Sequence, residues 1–488
     1  MPPASLDSWT KKAESLETAK NLLYFKQLVG LKFDKRRLAA LEGRTKTHYT
    51  RYLRDHGGDA HAPRGLFLMS VSAVGNAETF KQFLELHQAR ATKVVSSEFK
   101  FGGAPVNWGS WRQFAASTDD SASRKAVFDD FVEKSSVLAP IIQRRFEAYK
   151  ALLARFATDP LSTYLEQEAT SYDRLFSMVQ NLGELARTPF KDSLSHYSAE
   201  ILGRPAEYYD DFYFFRNRVF RQYAKKLPTK EKPVNKILKT MKRMGLDASK
   251  IAVDDADRKG KNASAFCSAI KVPTDVRISY RKANPLEDFS SVFHEFGHGI
   301  HFSSIDPRAS FSDRYGVASG VAEIFSIFFE GLIHEKAFLT KELGLSHEVA
   351  EDIQRRFRFN SLFFAAFYAA NSTLKLRYWR DRLSFDALDG LYSDLTERFL
   401  GIRYPGAYWK LHHVMPEYFL YSPSYLVAAV RALELRDVLV SKFGERYWAE
   451  RESGKALRRL MRPGQSLDLS YSKLDEAAYV KSLSSAAA

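Results

Sequence analysis

Phe293-His294-Glu295-Phe296-Gly297-His298 is the stretch from which the rest of the chain is best read. His294 and His298 stand four residues apart. On a helix, positions i and i+4 share one face a turn apart, so both imidazoles can converge on one ion. Neutral imidazole suits Zn2+, which takes it at ~2.0–2.1 Å in tetrahedral sites. Glu295, next to the first histidine, can reach a water on the ion without occupying a ligand position. A chance helix with two ordinary histidines has the same spacing, and the flanks separate the two readings. Phe293, Phe296 and Gly297 make the segment apolar, and polar groups buried there need partners. His301 continues the run but lies a further turn along, and reads as a core or supporting histidine rather than a ligand.

A catalytic zinc needs a third protein ligand and an open position. The candidate is Glu323, in Val321-Ala322-Glu323-Ile324-Phe325-Ser326-Ile327-Phe328-Phe329-Glu330. Carboxylates in so apolar a helix are costly unless they meet a cation. Glu323 therefore reads as a ligand, and Glu330 as an acceptor that orients a histidine. The competing reading sends either one to solvent or to a nearby arginine such as Arg314.

Outside this region the helical period dominates, for example Ile141, Ile142, Phe146, Tyr149, Leu152, Leu153 and Phe156. Glu348 to Tyr378 and Tyr425 to Phe443 read as long helices. His56 to Gly65, Gly102 to Ser110 and Pro228 to Pro233 read as turn-rich connections. Val272 to Tyr280 alternates β-branched and aromatic residues and reads as extended. The expectation is a mainly α protein with a small sheet beside the His-Glu motif.

The 488 residues carry 73 Lys+Arg against 58 Asp+Glu, a net +15. Leu31 to Arg54 holds eight basic and two acidic residues, and Arg216 to Lys250 twelve and two. In the second segment Arg216, Arg218 and Arg221 alternate with Phe220 and Tyr223. A polyanion groove would use such a pattern, but no nucleic-acid motif accompanies it. A solvated helical face is the favoured reading, and nucleic acid is not the expected partner. One cysteine, Cys267, excludes an intramolecular disulfide. No window approaches ~18 uninterrupted apolar residues, so no membrane partner is expected. With a beginning unlike a secretory leader, the expected location is cytoplasmic.

The motif with Glu323 following on a second helix resembles peptidase family M3, the thimet oligopeptidase and oligoendopeptidase F group of zinc metallopeptidases. The extended Asp275 to Tyr280, then Asn284-Pro285-Leu286-Glu287-Asp288 and the motif helix, is similar to that family's lead-in. So is His412-His413-Val414-Met415-Pro416-Glu417-Tyr418 with Tyr421 and Ser422-Pro423-Ser424-Tyr425. The glycines usual between His and the first Tyr are replaced by Met-Pro-Glu. The choices between His412 and His413, and between Tyr421 and Tyr425, stay open.

The resemblance covers about Tyr208 to Phe443. It implies a two-lobed helical metallopeptidase with a deep central channel, the N-terminal lobe over 1–200 and the catalytic region over 201–488, the lobes interwoven. It implies one Zn2+ held by His294, His298 and Glu323, with Glu295 as general base in the hydrolysis of short unstructured oligopeptides. His413 would bind the substrate or the developing charge, Tyr418 or Tyr425 would stabilise the oxyanion, and the strand at 276–280 would hold the peptide extended. The basic stretch 216–250 would border the channel mouth and favour acidic peptides. The alternatives are a carboxypeptidase-type zinc exopeptidase of similar helical fold, and a non-catalytic peptide- or polyanion-binding protein.

Overall fold

The computed structural model describes residues 6–57, 62–221, 223, 232–262, 264–282, 285–412, 414 and 419–484. The expected mainly α architecture is what it shows: the described elements are predominantly helices, with two small sheets. The chain divides into two compact units, each built from three stretches. Unit one comprises Met1–Ala77, Ala224–Ala350 and Val427–Leu474, and unit two Glu78–Tyr223, Glu351–Leu426 and Asp475–Ala488.

Unit two contains a hairpin of β1 (Val95–Phe101) and β2 (Ala104–Asn107). Gly102 and Gly103 join them with φ of 59° and 80°. Two successive positive φ angles are what a tight hairpin turn requires, and glycine adopts them without steric cost. The sequence reading took this stretch for a plain connection. Elsewhere the unit's core is aromatic: the rings of Phe215 and Phe363 stack at 4.0 Å, and Phe190 and Phe359 at 5.8 Å. Asp210, fully buried, is paired with both Arg124 and Arg204 at 2.8 Å. The basic-aromatic run 216–223 lies partly in a π-helical segment, Asp211–Arg218. There Phe220 packs on Phe357, Tyr223 is buried and accepts from Arg356, and Arg218 pairs with Asp119. Residues 224–231 of the same basic segment lie outside the described residues.

Unit one is organised around a three-stranded sheet of β3 (Ile251–Asp254), β4 (Phe266–Lys271) and β5 (Asp275–Ser279), in the order β3-β5-β4. β5 runs parallel to β3 and antiparallel to β4. The strand expected to hold a peptide is therefore the central one. Its backbone groups are paired on both sides, so it cannot accept a further strand; among the described residues the edges of this sheet are β3 and β4. This corrects the sequence reading, which recognised the strand but could not see its neighbours.

The motif helix, Pro285–Ser304, lies on this sheet. Glu287 and Asp288 in its first turn suit the positive end of the helix dipole. Phe289, Val292, Phe293, Phe296 and Ile300 recur at helical spacing and are buried. Ile251 and Ile278 from the sheet reach the helix at Gly299. It also packs on the helix Ser319–Gly331, whose Val321, Ile324, Phe325, Phe328 and Phe329 are buried.

Candidate metal centre

The two helices meet closely at Gly297. A Cβ there would sit 2.3 Å from the Phe325 carbonyl oxygen and 2.5 Å from Ser326 Cα. Only glycine lets the helices approach so far, and that approach sets Glu323 opposite the two histidines. Gly297→Ala is expected to destabilise the protein by about 1–3 kcal/mol or more through overpacking. A thermal melt with an unchanged Tm would contradict the close approach.

One nitrogen each of His294 and His298 and one carboxylate oxygen of Glu323 all lie within 4.8 Å of one another. Glu323 Oε2 is 3.4 Å from His294 Nε2 and 3.6 Å from His298 Nε2. Two ligands on a tetrahedral ion with ~2.0–2.1 Å bonds stand about 3.3–3.4 Å apart. The donor set and its spacing therefore fit a zinc ion.

Each ligand is held by a neighbour. His294 Nδ1 donates to Glu330 Oε2 at 2.9 Å in the tautomer that leaves Nε2 for an ion. Ser290 Oγ also donates to Glu330. Ser326 Oγ donates to Glu323 Oε2 at 2.6 Å. The Ala322 carbonyl approaches the His298 ring, although Nδ1 falls short of hydrogen-bond geometry.

Burial and charge set the protonation states. Burial alone would push His294 down, but the carboxylates of Glu323 and Glu330 lift it well above the usual histidine value. Burial pushes His298 down to about 4, which keeps it a neutral donor. Glu323 would be raised by burial, yet the two histidines and Ser326 hold it well below the usual carboxylate range. Burial pushes Glu295 up to about 7, and the neighbouring Glu323 and Glu330 charges act in the same direction. A carboxyl poised near neutrality can both take and return a proton.

His301 stands apart from this cluster. It is fully buried, its ring lies against Phe302 and Phe325, and neither ring nitrogen has a hydrogen-bond partner. Burial pushes it down to about 3, so it is a neutral core residue. Arg314, considered as a partner for the carboxylates, instead pairs with Glu14 at 2.7 Å.

His413 and Tyr418 lie outside the described residues. His412 is in unit two, its ring packed against Tyr408 and Phe367. Tyr421 and Tyr425 begin the helix Tyr421–Phe443, with Tyr425 stacked on Tyr368 at 5.4 Å and meeting Tyr421 edge-on at 4.8 Å. Between them, Ser422 accepts from the buried Lys375 at 2.9 Å. The support Ser290 gives to Glu330 and the close approach at Gly297 are not legible in the sequence. Ser290, four residues before His294, offered a helical-spacing signal; Gly297 offered only its small size.

No protein-family model matches the chain, and no curated protein matches it in sequence. Solved structures do match. An M32 carboxypeptidase from Deinococcus radiodurans R1 aligns with a TM-score of 0.60 at 15% identity, over 98% of this chain and 97% of that one. A candidate oligoendopeptidase F from Bacillus anthracis strain Ames aligns at 0.63 and 14%, over 97% and 88%. PZ peptidase A, in complex with an inhibitor, aligns at 0.63 and 13%, over 97% and 90%. The chain shares the mainly helical fold of these proteins. The likeness extends to a carboxypeptidase as well as to the oligoendopeptidase group, and so does not single out either.

Proposed function

We propose that this chain is a zinc-dependent peptidase acting on short unstructured oligopeptides. The observation that carries the reading is the convergence of His294, His298 and Glu323, with Glu295 close enough to feel their charges. The similar folds of a carboxypeptidase and two proteins named as peptidases support it.

His294, His298 and Glu323 would hold the zinc, which when bound supplies a Lewis acid that polarises the scissile carbonyl and lowers the pKa of water. Glu295 takes the proton of the attacking water on its carboxylate and passes it to the leaving amine. Glu330 keeps His294 in the right tautomer and orientation. Following the family resemblance, Tyr418 or Tyr425 donates to the developing oxyanion and His413 binds substrate. Glu330→Ala is expected to weaken zinc binding ~10–100-fold. Competition against a chromogenic chelator measures this, and unchanged affinity would leave Glu330 without the orienting role.

Charge bears on substrate preference. Unit one, which holds the cluster, has 43 basic and 29 acidic residues, and unit two has 30 and 29. Such a field favours capture of acidic peptides at low salt.

A carboxypeptidase is the second reading, because the chain spans 97% of the M32 carboxypeptidase against 88% and 90% of the other two. Among the described residues no helix is long and apolar enough to cross a membrane. Digestion of a mixed peptide pool with and without a chelator, read by mass spectrometry, tests the function and the cut position together. Chelator-sensitive cleavage within peptides is expected. Cleavage untouched by chelation would refute the zinc reading, and single residues lost only from C-termini would select the carboxypeptidase.

A further inference from the structure

Among the described residues β4 pairs with a strand along one side only, that of β5. In an antiparallel ladder, residues whose N–H and C=O face the partner strand alternate with residues whose groups both face away. The Ala269 carbonyl accepts from Asn21 Nδ2 at 3.2 Å. Asn21 belongs to the helix Leu6–Leu28, not to β5, so Ala269 is an outward-facing position. Cys267 shares that phase, and its backbone N–H donates to the Glu295 carboxylate. Along this edge the Cys267 N–H is thus held by the candidate base and the Ala269 carbonyl by Asn21, which leaves the Cys267 carbonyl for a peptide. The helix is fixed in place by Phe25, with Val29 just past its end, packed on Ile270 with Leu22 and Phe266 at the margin. A β-bridge between Val29 and Lys261 adds a second tie.

An extended peptide joins a sheet by hydrogen bonding to an exposed edge, and an open edge is the usual site for it. We propose that Asn21 ends the usable edge of β4, confining a bound peptide to the Cys267 register. The inference rests on the peptidase reading of the same site and concerns which part of the substrate that site recognises. Antiparallel pairing, the slightly more stable arrangement, sends the N-terminal side of the peptide past Ala269. Residues added on that side meet an occupied acceptor and contribute no pairing. Asn21 is a specificity-determining residue: it makes recognition independent of how far the substrate extends toward its N-terminus.

The test reads binding rather than turnover. In the Glu295→Gln background, Kd is measured by fluorescence anisotropy for labelled peptides lengthened one residue at a time at either end. With Asn21 present, Kd should stay flat as the N-terminal side grows. Asn21→Ala frees the Ala269 carbonyl, and N-terminally extended peptides should then bind about 2–10-fold tighter, the effect of one hydrogen bond. Leu22→Ala loosens the same helix without touching the amide and should leave Kd flat. The proposal is overturned if Asn21→Ala changes nothing or if N-terminal length already tightens binding with Asn21 in place. It is equally overturned if the gain follows C-terminal extension or if Leu22→Ala reproduces it. A protein that binds no peptide refutes the cap and the peptidase reading together, whereas zinc-dependent hydrolysis with an unchanged length profile refutes the cap alone.

Discussion

Glu295→Gln is expected to retain zinc and lose at least ~10²–10⁴ in kcat, the usual contribution of a positioned general base. The amide is close in size to the carboxyl, so the packing of the motif helix survives. It cannot take a proton, which is the role assigned to Glu295. The burial that pushes Glu295 up to about 7 is imposed by the fold, and the variant changes only the titrating group. Metal content by elemental analysis and single-turnover rates on one peptide decide the matter. Full activity with zinc bound would remove Glu295 from the chemistry.

Glu323→Ala should cost zinc itself. The loss in affinity should exceed the ~10–100-fold typical of removing an outer hydrogen-bond partner, because a ligand atom is gone. The fold should persist, since Ser326 keeps a second acceptor in the Glu323 backbone carbonyl at 3.0 Å. Metal loss with a retained melting transition is therefore the expected pair of results. Unaltered zinc content would show that the third ligand lies elsewhere. His301 would not be the replacement, since it is enclosed against Phe302 and Phe325.

How much of this could be read from the chain depends on how local each signal is. The four-residue spacing of His294 and His298 is a property of one helix turn and needs no tertiary information. Glu323 was legible because a carboxylate in an apolar helix demands a cation, although nothing in its own helix says which one. Glu330 is similar: its helix shows that it is out of place, and only the fold shows it 2.9 Å from His294 Nδ1.

Other features depend on parts of the chain far apart in sequence. The need for glycine at 297 comes from the backbone of a helix 28 residues further on. Asn21 meets Ala269 across 248 residues. The central place of β5 follows from a strand order in which β4 precedes it in sequence and lies outside it in space. The Gly102-Gly103 turn was legible as a turn, but the pairing of the strands on either side of it was not, because a glycine pair between short alternating segments looks much like a loop. The basic excess changed most in meaning. It first stood as two charged segments; in the fold nearly all of it belongs to the unit that holds the metal cluster.

The most direct measurement is zinc titration of metal-stripped protein with peptide hydrolysis as the readout. Activity should be absent at the start, rise linearly, and level off at one equivalent of zinc per chain. Hydrolysis that persists in the stripped protein, or that fails to return when zinc is restored, would contradict a single catalytic zinc held by His294, His298 and Glu323.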